Sequence, residues 1–193
     1  GANRLGTNSL LDLVVFGRAT GRHLVEKGVA KEAFKKVSSE AADFSIQRLS
    51  RMDSAKSGEK VQDVADEIRE TTQKNCGVFR SKELLQKGVE AINQIEEKVS
   101  SIFFEDKSKT FNTARVEALE VENMIEAAKA TIISAEARKE SRGAHSHDDY
   151  PDRDDNTWMK HTLWFAKNNR LDYKPVILEP SSVASFAPKK RTF

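Results

Sequence analysis

Three stretches of this chain repeat apolar residues at helical spacing, with only short connectors between them. Val61, Val64, Ala65 and Ile68 fall at i, i+3, i+4 and i+7. Leu85, Val89, Ile92, Val99 and Ile102 form a second stripe, and Val121, Ile125, Ala128, Ile132 and Ala135 a third. Helices with one apolar face and short links hide that face by folding back on one another. The spacing therefore predicts an antiparallel three-helix bundle within residues 54–138. Ser81 is placed to cap the middle helix and Gly77 to close the one before it. No internal repeat at a solenoid period is present.

Both flanks read differently. Gly1 to Gly6 is a glycine-containing loop running into Thr7-Asn8-Ser9, which offers helix N-caps. Leu10 to Phe16 is apolar nearly all round. The polar residues in front, and the continuation through Arg18, Arg22 and Glu26 to Gly28, favour a helix over a strand. Its first two turns should be buried. Residues 31–53 read as a second helix, with Ala33, Val37, Ala41, Phe44 and Leu49 at roughly helical spacing. Composition shifts at Glu140: residues 140–157 are dense in charge and turn formers and are not expected to build core. Beyond them lies an irregular segment whose tail carries three of the four prolines, with a strand expected at Val176-Ile177-Leu178. The fold class is mainly α, divided into residues 1–53, 54–138 and 139–193.

Several functions are disfavoured by composition. Lys+Arg at 32 against Asp+Glu at 30 leaves a net charge of +2, too little for a broad nucleic-acid footprint. A single cysteine, Cys76, excludes an internal disulfide framework or a cysteine-ligated cluster. No apolar run approaches the roughly 20 residues a membrane-spanning helix needs. The opening GANRLG has neither Met nor an apolar leader, which points to a piece of a longer chain.

Few residues carry chemistry alone. His145-x-His147-Asp148-Asp149, with His161 beyond, can ligate a metal, but the same residues in a turn-rich segment also hydrogen-bond locally. No second ligand cluster or HExxH spacing favours the metal. Asp152-Arg153-Asp154-Asp155 lacks the spaced oxygens, central glycine and terminal Glu of a calcium loop. Ser9 has no adjacent base and is placed for capping; Cys76, at a cation-poor helix end, reads as inert. Arg4 stands in a glycine-flanked loop just before a helix N-terminus. A guanidinium and helix N–H groups converging there would make a carboxylate site, and a solvated or salt-bridged arginine is the other reading. Lys189-Lys190-Arg191 reads as a short solvated basic end.

Two longer motifs are more specific. GANRLGTNSLLDLVVFGRATG at residues 1–21 resembles the substrate-and-flavin motif of the succinate dehydrogenase/fumarate reductase flavoprotein family. ARKESRGAHSHDDYPDRDDNTWMKHTL at residues 137–163 is similar to that family's C-terminal signature, and Gly77-Val78-Phe79-Arg80 to a turn between its bundle helices. Leu11-Asp12-Leu13 and the RGAH-to-DYP segment look more like the succinate dehydrogenase branch than fumarate reductase or L-aspartate oxidase. The resemblance implies an FAD-dependent oxidoreductase passing electrons to an iron–sulfur subunit, of which this chain is the C-terminal part. It implies that the first helix belongs to the FAD domain. By the same resemblance Arg4 clamps a dicarboxylate substrate, and Ser9 and Leu10 contact FAD.

The family's dinucleotide fingerprint, flavin-linking histidine and proton-shuttling arginine have no counterpart in the chain. It is therefore expected to be inactive alone and to release FAD. The family's RGAH motif commonly continues with Arg where His147 stands. The segment from Ser141 to His161 is expected to pack on the flavin domain or the iron–sulfur partner. Membrane anchor subunits would hold the complex at the cytoplasmic face of a bacterial inner membrane, or on the mitochondrial matrix side. Self-association of the piece is expected through its uncovered packing face. A non-catalytic helical interaction module is the alternative from the bundle alone, but such a module has no need of GANRLG before an apolar helix.

Overall fold

In a computed structural model, the structure describes residues 6–28, 31, 33, 35–182 and 184–189. It is mainly α, as read from the sequence, and divides into two compact units. One unit takes the chain through Val61 together with Ser101–Leu119; the other takes Gln62–Ser100 and everything from Glu120.

The first unit opens with α1, Asn8–Glu26, and α2, Asp43–Ser54. Helix α1 forms where expected but is not buried: no residue of it is buried, and Leu10 and Phe16 are 68% and 64% exposed. Its apolar circumference meets no covering layer in this chain, and that is the physical reason for the difference. The second helix is shorter than residues 31–53, because residues 35–38 carry no regular structure and helical pairing starts only after the turn at 39–42. Met52 of α2 is fully buried, and Lys107 donates to its carbonyl at 2.9 Å while lying 4.0 Å from the Phe104 ring centroid. Two short strands, β1 at Glu59–Lys60 and β3 at Ile102–Phe103, pair in parallel. Gly58, at φ 155°, lets them approach, since a Cβ there would lie 2.0 Å from the Ser101 carbonyl oxygen.

The second unit holds the bundle. Helices α3 (Val61–Asn75), α4 (Lys82–Val99) and α5 (Thr113–Ala137) bury Val64, Ile68, Leu85, Ile92, Val121, Ile125 and Ile132. These follow the predicted stripes, except that the second ends with α4 at Val99: Ile102 is buried on β3 instead, and Val89 is only half-buried. Lys98 near the end of α4 grips Glu67 near the start of α3 at 2.7 Å, and Lys129 of α5 reaches Glu96 of α4 at 2.5 Å. A Cβ on Gly88 of α4 would lie 2.9 Å from Asn75 Cβ and 3.2 Å from Ile132 Cγ2. Early α4 thus meets late α3 and late α5, so α4 runs antiparallel to both. Ser81 caps α4 as read, accepting from Leu84 N at 3.3 Å.

The C-terminal segment is more regular than expected. Strands β5 (Lys160–Phe165) and β6 (Arg170–Pro175) form an antiparallel hairpin. They turn through a short 3-10 stretch at Ala166–Asn168 and through Asn169, whose left-handed φ of 50° suits an asparagine. The expected strand at residues 176–178 is not one; pairing stops at Pro175. Lys129, fully buried, donates to Asn169 Oδ1 at 3.0 Å and so ties the hairpin turn to α5.

Candidate functional site

The chemistry-bearing residues fall into two groups, one in each unit. In the first, Gly6 and Thr7 have φ of 60° and 61°, two successive left-handed residues that turn the chain into α1. Thr7 holds the N-cap position, but its hydroxyl donates backwards to the Gly6 carbonyl at 2.6 Å instead of capping. No acidic side chain lies in the first turn. The helix start therefore presents its positive dipole end without a carboxylate opposing it. Ser9, half-buried, and Leu10, exposed, sit in that turn. Arg4 lies outside the described residues.

The second group is built on Glu140, which follows α5 and has no exposed surface. Its Oε1 accepts from Arg138 Nη1 at 2.6 Å and from Arg142 Nε at 2.7 Å. Its Oε2 accepts from Arg142 Nη2 at 2.9 Å and from the Asp154 N–H at 2.9 Å. Burial pushes this carboxyl's pKa up, but the bonds from Arg142, Asp154 N–H and Arg138 outweigh it and hold the pKa below the usual range. Arg138 also donates to the Trp158 and Lys160 carbonyls and to the Thr162 hydroxyl, which fixes the start of β5. The charge-dense run therefore does contribute core, contrary to the sequence expectation. Its charges pair with each other, which lets Glu140 be enclosed; His147, in the same run, and Trp158, just after it, are buried too.

The acidic run is likewise occupied locally. Asp154 caps the short helix α6, Asp155–Trp158, accepting from the N–H groups of Asn156 and Thr157, both at 3.0 Å. Asp155 takes Arg142 at 2.7 Å and Arg153 at 2.8 Å. Arg153 Nη1 donates to the Lys189 carbonyl at 2.7 Å, so the tail end of the described chain lies against this loop.

The histidines part company. His145 Nδ1 lies 2.8 Å from Arg80 Nη1, which can only donate; Nδ1 is therefore the acceptor and Nε2 carries the proton, directed at the Arg138 carbonyl 3.1 Å away. Burial, helped by the Arg80 charge, lowers its pKa and keeps the ring neutral. His147 is on β4, Ser146–His147, which pairs in parallel with β2, Phe79–Arg80. It is 1% exposed, its ring stands edge-on to Tyr150, and neither ring nitrogen has a hydrogen-bond partner among the described residues. Asp149 caps the start of α4 through Lys82 N at 2.7 Å. His161 is exposed on β5, facing Lys174 across the hairpin. Among the described residues no three His, Cys, Asp or Glu side chains converge as a metal-ligand set. Burial raises the Cys76 thiol pKa, which leaves it protonated.

Sequence reasoning gave no site role to Arg138 or Glu140, and named Arg80 only within the Gly77–Arg80 motif and Asp154 only within the rejected calcium-loop run. The signal available was the alternation of opposite charges from Arg138 to Asp155, which marks a network as readily as a solvated loop.

The family profile described as "Fumarate reductase flavoprotein C-term" matches residues 65–193. The succinate dehydrogenase flavoprotein subunit of Coxiella burnetii is 42% identical over 191 residues, covering 99% of this chain and 32% of that protein. Its counterpart in Rickettsia bellii is 43% identical over 198 residues, covering 100% of this chain and 33% of that one. Among solved structures, a variant of Escherichia coli quinol fumarate reductase superposes with a TM-score of 0.83 at 33% identity, over 98% of this chain and 33% of that chain. The chain thus spans about a third of the length of the relatives it matches.

Proposed function

This chain belongs to the succinate dehydrogenase and fumarate reductase flavoprotein family, and from that premise we propose that it is the C-terminal third of a succinate dehydrogenase flavoprotein subunit. The observation that carries the reading is similarity along the whole of this chain to two bacterial succinate dehydrogenase flavoprotein subunits at 42–43% identity, against 35% for the fumarate reductase flavoprotein subunit of Haemophilus influenzae. Residues 1–53 then complete the FAD domain, residues 54–138 form the helical domain, and residues 139–193 pack on the flavin domain or on the iron–sulfur subunit. The whole polypeptide oxidises succinate to fumarate. Anchor subunits hold it at the membrane, on the cytoplasmic or matrix side. Among the described residues no helix is long and apolar enough to cross a bilayer itself.

FAD, when bound, supplies the hydride acceptor. The helix start fits the electronegative edge of such a ring, because α1 begins without an acidic first turn and without a side-chain cap. Ser9 and Leu10 hold that edge. Arg4 binds a substrate carboxylate by paired charge-assisted hydrogen bonds and so orients the dicarboxylate for reaction. The apolar exterior of α1 is covered by the remainder of the flavin domain.

The test uses the whole polypeptide, purified with FAD, and asks whether succinate bleaches the flavin's visible absorption. Bleaching is expected, and Arg4→Ala should slow it by about a hundredfold or more, in line with loss of a charged hydrogen-bonding pair at a reacting ligand. Absence of bound flavin would return the chain to the reading of a helical interaction module, and bleaching indifferent to Arg4 would leave a flavoenzyme in which Arg4 is not the carboxylate clamp.

A further inference from the structure

Between the last turns of α5, β2 and the start of β5 lies a cavity of about 530 Å³. Its wall carries Arg80, Arg138, Arg142, Lys160, His145 and His161, with Ser134 beside them and no Asp or Glu among the lining residues. The cations are not equivalent. Arg138 and Arg142 are matched by the enclosed Glu140, and Arg142 by Asp155 as well. Arg80, by contrast, gives Nε to the Gly77 carbonyl at 3.0 Å and Nη1 to the neutral His145 ring, and its Nη2 has no partner among the described residues. Among the described residues Lys160 Nζ meets ring faces alone, Trp158 at 4.6 Å and Tyr173 at 4.1 Å from the centroids. A guanidinium and an ammonium therefore line one concave space with no carboxylate partner for either among the described residues. An anion entering that space would meet both positive charges.

We propose that this cavity is a carboxylate-binding site, with Arg80 and Lys160 supplying the charge and Ser134 a further donor. The guanidinium offers the directional contact and the ammonium the point charge. The cation–π contacts hold Lys160 in place without neutralising it. The carboxylate comes either from a free organic acid or from an Asp or Glu side chain in the flavin-domain remainder of the polypeptide, the second source resting on the function proposed above. Recognition at Arg80 and Lys160 is the same for both.

The probe is citrate, titrated into the 193-residue chain at constant ionic strength, with chloride as control. Nitrogen NMR of the His145 ring and the Arg80 Nε reports on the site. Saturable shifts at both groups are expected, and the His145 titration midpoint should rise, because a nearby anion favours imidazolium. Lys160→Gln, which removes no hydrogen bond seen in the fold, should weaken citrate at least about tenfold. Arg80→Gln should do the same, with circular dichroism confirming the fold. Shifts no larger than those from chloride, or shifts untouched by Lys160→Gln, would overturn the site. The whole polypeptide separates the sources. Signals already at their bound positions and insensitive to citrate mean that the protein's own carboxylate fills the cavity; continued titration means a free acid. Unbound positions with no titration would again overturn the site. No flavin is involved in any readout, so this test can fail while the functional reading stands.

Discussion

Arg142 holds Glu140 by both oxygens of the carboxylate, Nε to Oε1 at 2.7 Å and Nη2 to Oε2 at 2.9 Å. Arg138 and the Asp154 N–H complete the coordination of the same group. One enclosed anion thus sets where α5 ends, where the loop after it returns and where β5 begins. A solvated loop of the same composition would have no fixed path. Here the alternating charges pair with one another around the enclosed carboxylate rather than with water.

Glu140→Gln removes the charge and leaves two guanidiniums competing for one amide oxygen. Breaking an enclosed ion-pair network by neutralising one partner costs about 3 kcal/mol or more. Urea unfolding of the variant should show that loss as a lower midpoint with an unchanged slope. Wild-type stability would mean that the network is redundant.

Stability should fall with acid in two stages. His145 and His147 are held below their ordinary value near 6.5, chiefly by burial. The unfolded chain therefore binds protons first as pH drops. Their contribution is complete above about pH 6.5 and declines below it, by at most about 1.4 kcal/mol per pH unit for each ring. Glu140 is also held below its ordinary value of 4.5, so its contribution persists above that pH and is lost as pH falls further. His147→Phe removes a ring with no hydrogen-bond partner among the described residues and should flatten the first stage without lowering stability at pH 7.5. Denaturation midpoints from pH 8 to 3.5 would show this, and an unaltered first stage in the variant would place the titration elsewhere.

The bundle was legible because the apolar stripes at Val61–Ile68, Leu85–Ile102 and Val121–Ala135 have one period and one purpose. Ser81 capped as read because capping is local. Four other features were less legible. Helix α1 has an apolar circumference that says "buried" without saying by what. The span at residues 31–53 carries helical spacing, yet 35–38 take no regular form. The hairpin is not marked by alternation, because Leu163-Trp164-Phe165 is an unbroken apolar run, and the turn at Asn168-Asn169 is its main local signal. Around Glu140 the sequence shows charge, but whether charges pair with each other or with water is decided by the fold. Ser9 and Leu10 sit at a helix start, where the sequence places them, and Arg4 lies outside the described residues.

Gly88→Ala weighs two effects of opposite sign. Alanine stabilises a helix interior by about 1 kcal/mol relative to glycine. Against that, the new methyl would lie 2.9 Å from Asn75 Cβ and 3.2 Å from Ile132 Cγ2, neither of which is the free end of a flexible side chain. Overpacking of this kind costs about 1–3 kcal/mol. A net loss of roughly 1 kcal/mol is expected, seen as a fall of several degrees in Tm. A rise in Tm would show that α4 can move away from α3 and α5 at little cost.

The uncovered face of α1 gives the last expectation. Leu10, Leu13, Val14 and Phe16 are each more than half exposed on two successive turns. A contiguous apolar patch of this kind draws a partner in water. In the chain by itself the available partner is a second copy, so sedimentation should show association that grows with concentration. Leu13→Glu with Phe16→Glu should abolish it while leaving bundle stability within about 0.5 kcal/mol, since neither residue is buried. The whole polypeptide should not associate this way if, as proposed, its flavin domain covers the helix. A chain that stays monomeric at high concentration would show that α1 folds back on its own unit, and the two glutamates would then lower its stability.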